Sequence, residues 1–131
     1  MTRNILFLPT NGDSPTLVDF DELNEPNPYF AAGDLIGEDE SRAYCAMVRT
    51  PFENFHLFVN EEGSLLGLPI HPRASFRLYP GPLLGDIVVM KTHLEYSEEG
   101  PDHVIDHMPA SQANKILVLC GYGDVDKLKD D

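Results

Sequence analysis

Short apolar runs separated by polar turns mark most of the chain. Asn4-Ile5-Leu6-Phe7-Leu8 is an apolar run closed by Pro9, a pattern that predicts a buried strand. Asn11-Gly12-Asp13 is a turn signal, and Thr16 to Phe20 gives a second strand, so residues 4–20 predict a hairpin. Asn27-Pro28 then predicts a helix start, because Asn accepts hydrogen bonds at the cap and Pro suits the first turn. That helix runs over Tyr29, Phe30, Ala31 and Ala32, is weakened by Gly33 and ends at Gly37.

Arg42 to Thr50 and Phe55 to Asn60 predict a second hairpin around Pro51-Phe52-Glu53-Asn54. Phe55, Leu57 and Val59 fall on one face of the returning strand, His56 and Phe58 on the other. Asn60-Glu61-Glu62-Gly63 has the composition of a type I turn. A short helix is expected from Arg73 to Leu78, opened by His71-Pro72 and stopped by Pro80-Gly81-Pro82. Gly85-Asp86 introduces a strand over Ile87 to Met90. Residues 95–102 read as an exposed polar loop, and Lys115 to Cys120 as the last strand.

Short connections imply antiparallel pairing, since parallel strands need long crossovers. The expected fold is therefore α+β: a mostly antiparallel sheet of five or six strands, with one or two short helices on one face. The length, 131 residues, gives one domain over 1–131, with 124–131 as a frayed acidic tail. No disulfide or metal is needed to support a core of that size. Cys45 and Cys120 sit in apolar runs and are expected to be reduced and inert. No apolar stretch approaches the length of a membrane span, and a cytoplasmic location is expected.

Charge changes the picture more than composition does. Twenty-two acids against nine bases give a net charge of −13. Such a chain repels bare nucleic acid and anionic membranes, and attracts a basic protein. Solubility alone, or a salty environment, is the plainer explanation of the same charge.

Residues 57–75 carry the most distinctive segment, in which Asn60-Glu61-Glu62-Gly63 precedes Gly67-Leu68-Pro69 and Arg73-Ala74. With Gly85-Asp86 before an apolar strand, this resembles an uncharacterised family of small domains found in bacteriophages and mobile elements. The resemblance spans residues 3–91. His71-Pro72 stands where that family usually has Asn before the Arg. The resemblance implies a phage or mobile-element setting and no particular activity.

Two constellations qualify as candidate sites. Asn60, Glu61, Glu62 and Gly63, with Arg73 and Arg77 four residues apart on a helix, form a candidate ligand site for a phosphate or nucleotide. The packing alternative has Arg73 pairing with Glu61 or Glu62 to pin the turn. His103 and His107 have the spacing of two helical metal ligands, and His93 is a third candidate. Val104 replaces the Glu that zinc-protease chemistry needs, so these three are weak metal candidates and no metal is expected. No serine has a nucleophile-elbow context and neither cysteine has an activating one.

The expectation is a non-enzymatic acidic binding protein without cofactor. Its partner is a protein with a basic surface, such as a defence nuclease or DNA-binding factor that it inhibits, with no direct nucleic-acid or membrane contact. Homodimerisation stays open. The alternative is a small-ligand binding protein using the Asn60–Arg77 region.

Overall fold

The computed structural model describes residues 3–37, 42–50, 52 and 54–122. Among these residues, six strands and two α-helices form an α+β fold. The strands are β1 (Asn4–Leu8), β2 (Thr16–Asp19), β3 (Cys45–Arg49), β4 (Phe55–Asn60), β5 (Ile87–Ser97) and β6 (Gly100–Asp106). The helices are α1 (Pro28–Ile36) and α2 (Ala110–Leu119), and a 3-10 turn covers Phe20–Leu23. All pairings are antiparallel, in the order β2-β1-β5-β4-β3, with β6 also on β5. The expected tail at 124–131 lies outside the described residues.

β5 organises the sheet. Lys91 pairs with Phe55 of β4 and with Asp106 of β6, so β4 and β6 flank opposite edges of β5. β1 pairs with Ile87 to Val89, residues of which β4 also takes two, and therefore shares the β6 edge. β1 and β6 thus follow each other along one edge, joined where the Met108 N–H donates to the Asn4 carbonyl.

The sheet is buried on both faces. On one, Leu6, Leu8, Leu57 and Val89 pack against Ala113, Ile116 and Leu117 of α2. On the other, Ile5, Phe58, Val88 and Met90 pack against Ala31, Ala32 and Ile36 of α1. Two covered faces explain why β1 and the start of β5 are continuous apolar runs rather than alternating ones. Burying one such Leu or Phe contributes about 1.5–3 kcal/mol. The helices therefore lie on opposite faces, not on one as expected.

α1 begins as the sequence predicts: the Asn27 side chain accepts from the N–H groups of Tyr29 and Phe30. Gly33, which weakens the helix intrinsically, is required by packing. A Cβ there would lie 2.9 Å from the Arg42 side chain and would also overlap the Ala43 carbonyl, where the returning chain crosses the helix.

Three expectations are corrected. Lys115 to Leu119 is helical and Cys120 caps the helix: Ala113, Ile116, Leu117 and Cys120, at intervals of three and four residues, are buried on one face of the sheet. Residues 73–78 form successive turns rather than a helix. Residues 95–97 and 100–102 are the ends of β5 and β6 rather than loop, with only Glu98 and Glu99 in the turn between them.

Candidate functional site

The Asn60 turn forms as expected, with the Asn60 side chain accepting from the Glu62 N–H and the Gly63 N–H donating to the Asn60 carbonyl. Asn60 and Glu62 line a cleft of 540 Å³ together with Leu68, Pro69, Gly85 and Asp86. Residues far apart in the sequence motif therefore meet there. Glu61 is exposed and does not line the cleft, and Gly63 is buried, where an added Cβ would press on Leu84.

Arg73 and Arg77 do not line that cleft. The Arg73 guanidinium donates to the Gly121 carbonyl and lies 5.3 Å from the Tyr122 ring centroid. Gly121, at φ +82°, has no room for a side chain because Arg77 Nη1 occupies the position of its Cβ. Both arginines thus close over the C-terminus of α2. Neither Glu61 nor Glu62 pairs with Arg73 among the described contacts.

His71 is the hub of this segment. Its ring is fully buried. Nδ1 accepts from the N–H groups of Arg73 (3.2 Å) and Ala74 (3.1 Å), so Nε2 carries the proton and donates to the Leu8 carbonyl at 3.2 Å. Burial lowers its pKa and keeps the ring neutral. One histidine thereby satisfies two turn amides and ties the turns to β1.

The second feature is an arm. β4 stops pairing at Lys91, while β5 and β6 continue together to Ser97 and Gly100. The arm carries Glu95, Glu98, Glu99 and Asp102, all exposed. Tyr96 is 77% exposed at its end, and Leu94 is exposed nearer the sheet. His93 bridges Glu95 (3.0 Å) and Asp106 (2.8 Å), and these hydrogen bonds raise its pKa. A free strand edge of this kind invites pairing with other chains, and charges along it oppose that pairing between identical copies.

The third feature lies at the foot of the arm. The buried Thr92 hydroxyl is 2.9 Å from His56 Nδ1 and 3.4 Å from His103 Nδ1. The two imidazoles meet edge to face, 5.2 Å between centroids. Both line an open cleft of 450 Å³ with Arg49, Asn54 and Phe52. Burial, then the neighbouring His103 and Arg49, lower the His56 pKa.

The weak metal candidates do not converge. His103 lies on the α1 side of the arm and His93 on the α2 side, while His107 accepts from the Asn4 N–H beyond the end of β6. On a strand, His103 and His107 stand about 13 Å apart rather than one helical turn. No group of three metal-ligating side chains forms among the described residues. Burial pushes the Cys45 thiol up to about 12 and the Cys120 thiol up to about 11, a setting for inert rather than reactive thiols.

Sequence reasoning missed His71 as a hub and missed the meeting of His56, Thr92 and His103. His56 had been placed on the correct face of β4. Its neighbours depend on the register of β5 with two other strands, which no local pattern encodes. No protein-family model, no curated protein and no solved structure matches this chain.

Proposed function

We propose that the chain is a non-enzymatic binding protein that engages a basic protein partner through the acidic β5–β6 arm. The observation that carries this reading is the arm itself: a two-stranded extension beyond the sheet, with four exposed carboxylates and an exposed tyrosine at its end. An isolated two-stranded hairpin gains little stability in water, so the extension adds little to the fold. Tyr and its flanking charges suit recognition, because an aromatic anchor supplies contact area and the field steers encounter.

Every acidic residue among those described is at least partly exposed, so the negative charge faces solvent. Carboxylates spaced along an arm match a surface built to hold phosphates, which is the surface of a nuclease or a DNA-binding factor. Occupying that surface would inhibit it. Such an inhibitor would act in a host cytoplasm, a setting suggested by the resemblance to domains of phages and mobile elements. No helix among the described residues is long and apolar enough to cross a membrane.

Small-ligand binding in the Asn60–Arg77 region is the less supported reading. The cleft there carries the carboxylates of Glu62 and Asp86, and the two arginines face Gly121 instead. The one arginine lining the cleft among the described residues, Arg42, is already paired with Glu25 and Asp34, so an anion there would meet the two carboxylates.

The test compares capture of host proteins by the wild type, by an arm variant (Glu95→Gln, Glu98→Gln, Glu99→Gln, Asp102→Asn) and by a control variant neutralised at Asp13, Glu22, Glu61 and Glu62. The expected result is a basic protein held in stoichiometric amount by the wild type and the control, and released by the arm variant. Equal capture by all three, or equal loss in both variants, contradicts the proposal.

A further inference from the structure

We propose that the cleft at the foot of the arm is a binding site for a small phosphate-type oxyanion, held by Arg49, His56 and His103. The site is independent of the acidic face of the arm.

The geometry begins with register. Arg49 of β3 is the direct partner of His56 of β4, and His56 lies diagonally from Thr92 of β5. His103 of β6 pairs with Leu94, beside Thr92. The backbones of His56 and His103 are two strands apart and offset by four residues along β5, since His56 stands opposite Met90 and His103 opposite Leu94. Their ring centroids are 5.2 Å apart, so both rings lean over Thr92. Nδ1 of each ring is turned to the Thr92 hydroxyl, which leaves Nε2 of each ring as the nitrogen available to a ligand in the cleft that both residues line.

The hydroxyl sets the chemistry of the pair. It holds one hydrogen, so it donates to one Nδ1 and accepts from the other. In the neutral pair the two rings are therefore opposite tautomers, with one Nε2–H and one bare Nε2. A single proton placed on the bare Nε2 turns both into donors and adds one positive charge. Arg49 supplies a second, permanent charge. An oxyanion bound here takes up that one proton and accepts from two imidazoles and a guanidinium.

The surroundings select an anion. No described residue lining this cleft is a carboxylate; the nearest acids, Glu95 and Asp106, are held by His93 at its rim. Arg3 and Arg42 are paired with carboxylates, whereas no described acid pairs with Arg49. A metal ion would find two imidazoles, no third ligand and a repelling guanidinium. A nucleic acid would have to approach along the acidic arm. Phe52 gives the cleft an apolar side, which suits the organic part of a phosphate monoester. The charged and titratable groups facing His56 are Arg49 from β3 and His103 from β6; β5 contributes Met90 and Thr92, and α1 contributes Tyr29, packed on Phe58.

The experiment is a titration of inorganic phosphate and, separately, sulfate, followed by histidine ring nitrogen signals in NMR. Sulfate keeps its charge between about pH 6 and pH 8, so its pH dependence reports the protein. Saturable shifts of His56 and His103 are expected at about pH 6, with a dissociation constant of about 1 mM or tighter. Sulfate affinity should fall roughly tenfold per pH unit once the pair has lost its proton. The exposed Arg49→Ala should weaken binding about tenfold or more, and Lys115→Ala, an equal change of charge on α2, should leave it unchanged. The proposal is overturned by unshifted histidine signals at about 20 mM phosphate and pH 6. It is equally overturned by wild-type affinity in Arg49→Ala, by equal losses in both variants, or by pH-independent sulfate binding.

Discussion

Replacing His71 probes the most concentrated set of hydrogen bonds in the fold. The fully buried ring serves two turn amides through Nδ1 and the Leu8 carbonyl through Nε2. His71→Leu keeps an apolar side chain but leaves three backbone groups without partners. Each buried, unpaired group costs about 1–3 kcal/mol, so a loss of about 3–9 kcal/mol is expected. That is a large share of the 5–15 kcal/mol roughly typical of whole domains. In His71→Asn the amide oxygen takes the position of Nδ1 and keeps both turn amides. Only the Leu8 bond and part of the ring volume are lost, for about 2 kcal/mol. Urea denaturation followed by far-ultraviolet circular dichroism measures both, since the chain has no Trp to report by fluorescence. Equal stability of the two variants, or a His71→Leu loss under about 1 kcal/mol, would refute this role.

The same pair of proteins gives a pH test. Burial lowers the His71 pKa in the folded state below its unfolded value near 6.5. On acidification the unfolded chain takes up the proton first. Stability therefore falls as pH drops below about 6.5, down to the folded pKa, and is insensitive to this group above it. His56 shifts in the same direction, but is present in both proteins and cancels in the difference. The stability gap between wild type and His71→Asn should narrow between about pH 7.5 and pH 5.5. A constant gap would show that the ring is not held neutral.

Further expectations concern single residues. Gly121→Ala places a Cβ on Arg77 Nη1 at a left-handed φ of +82°, and should lower stability by about 1–3 kcal/mol in the same urea assay. Phe76 is 69% exposed with φ at 63°, so Phe76→Asn relieves strain without losing packing and should raise the thermal midpoint, by up to about 1 kcal/mol equivalent. Cys45 and Cys120, with thiols raised to about 12 and about 11, should resist a thiol-specific reagent at about pH 8 in the folded protein and react promptly in denaturant.

The parts of the fold legible in the sequence are those where local chemistry and tertiary packing agree. β1 is closed by Pro9, α1 opens on an Asn cap, and the Asn60 turn uses its own side chain to hold Glu62. α2 was misread because Ile116-Leu117-Val118-Leu119-Cys120 is apolar and resembles a buried strand. Its helical period shows only when the window opens at Ala110, where Ala113 joins Ile116, Leu117 and Cys120 on one face. The outer half of β5 was missed for the opposite reason. Glu95, Tyr96 and Ser97 are exposed on both faces, so no hydrophobic alternation marks them as strand. What holds them extended is the ladder with β6, a partner that is itself polar. Of the site, the acidic character was legible and its arrangement was not. Only the ladder reveals that Glu95, Glu98, Glu99 and Asp102 belong to one projecting element, and only the register brings His56 to His103.

The salt dependence of binding by the arm is the most direct measurement. With the basic partner in hand, its dissociation constant would be followed from about 0.05 M to about 0.5 M salt, a range over which screening shortens from well above to well below 10 Å. Steep weakening is expected for the wild type, with a markedly shallower slope and weaker low-salt binding once Glu95, Glu98, Glu99 and Asp102 are neutralised. Identical slopes and affinities for the two proteins would contradict a function carried by those four carboxylates.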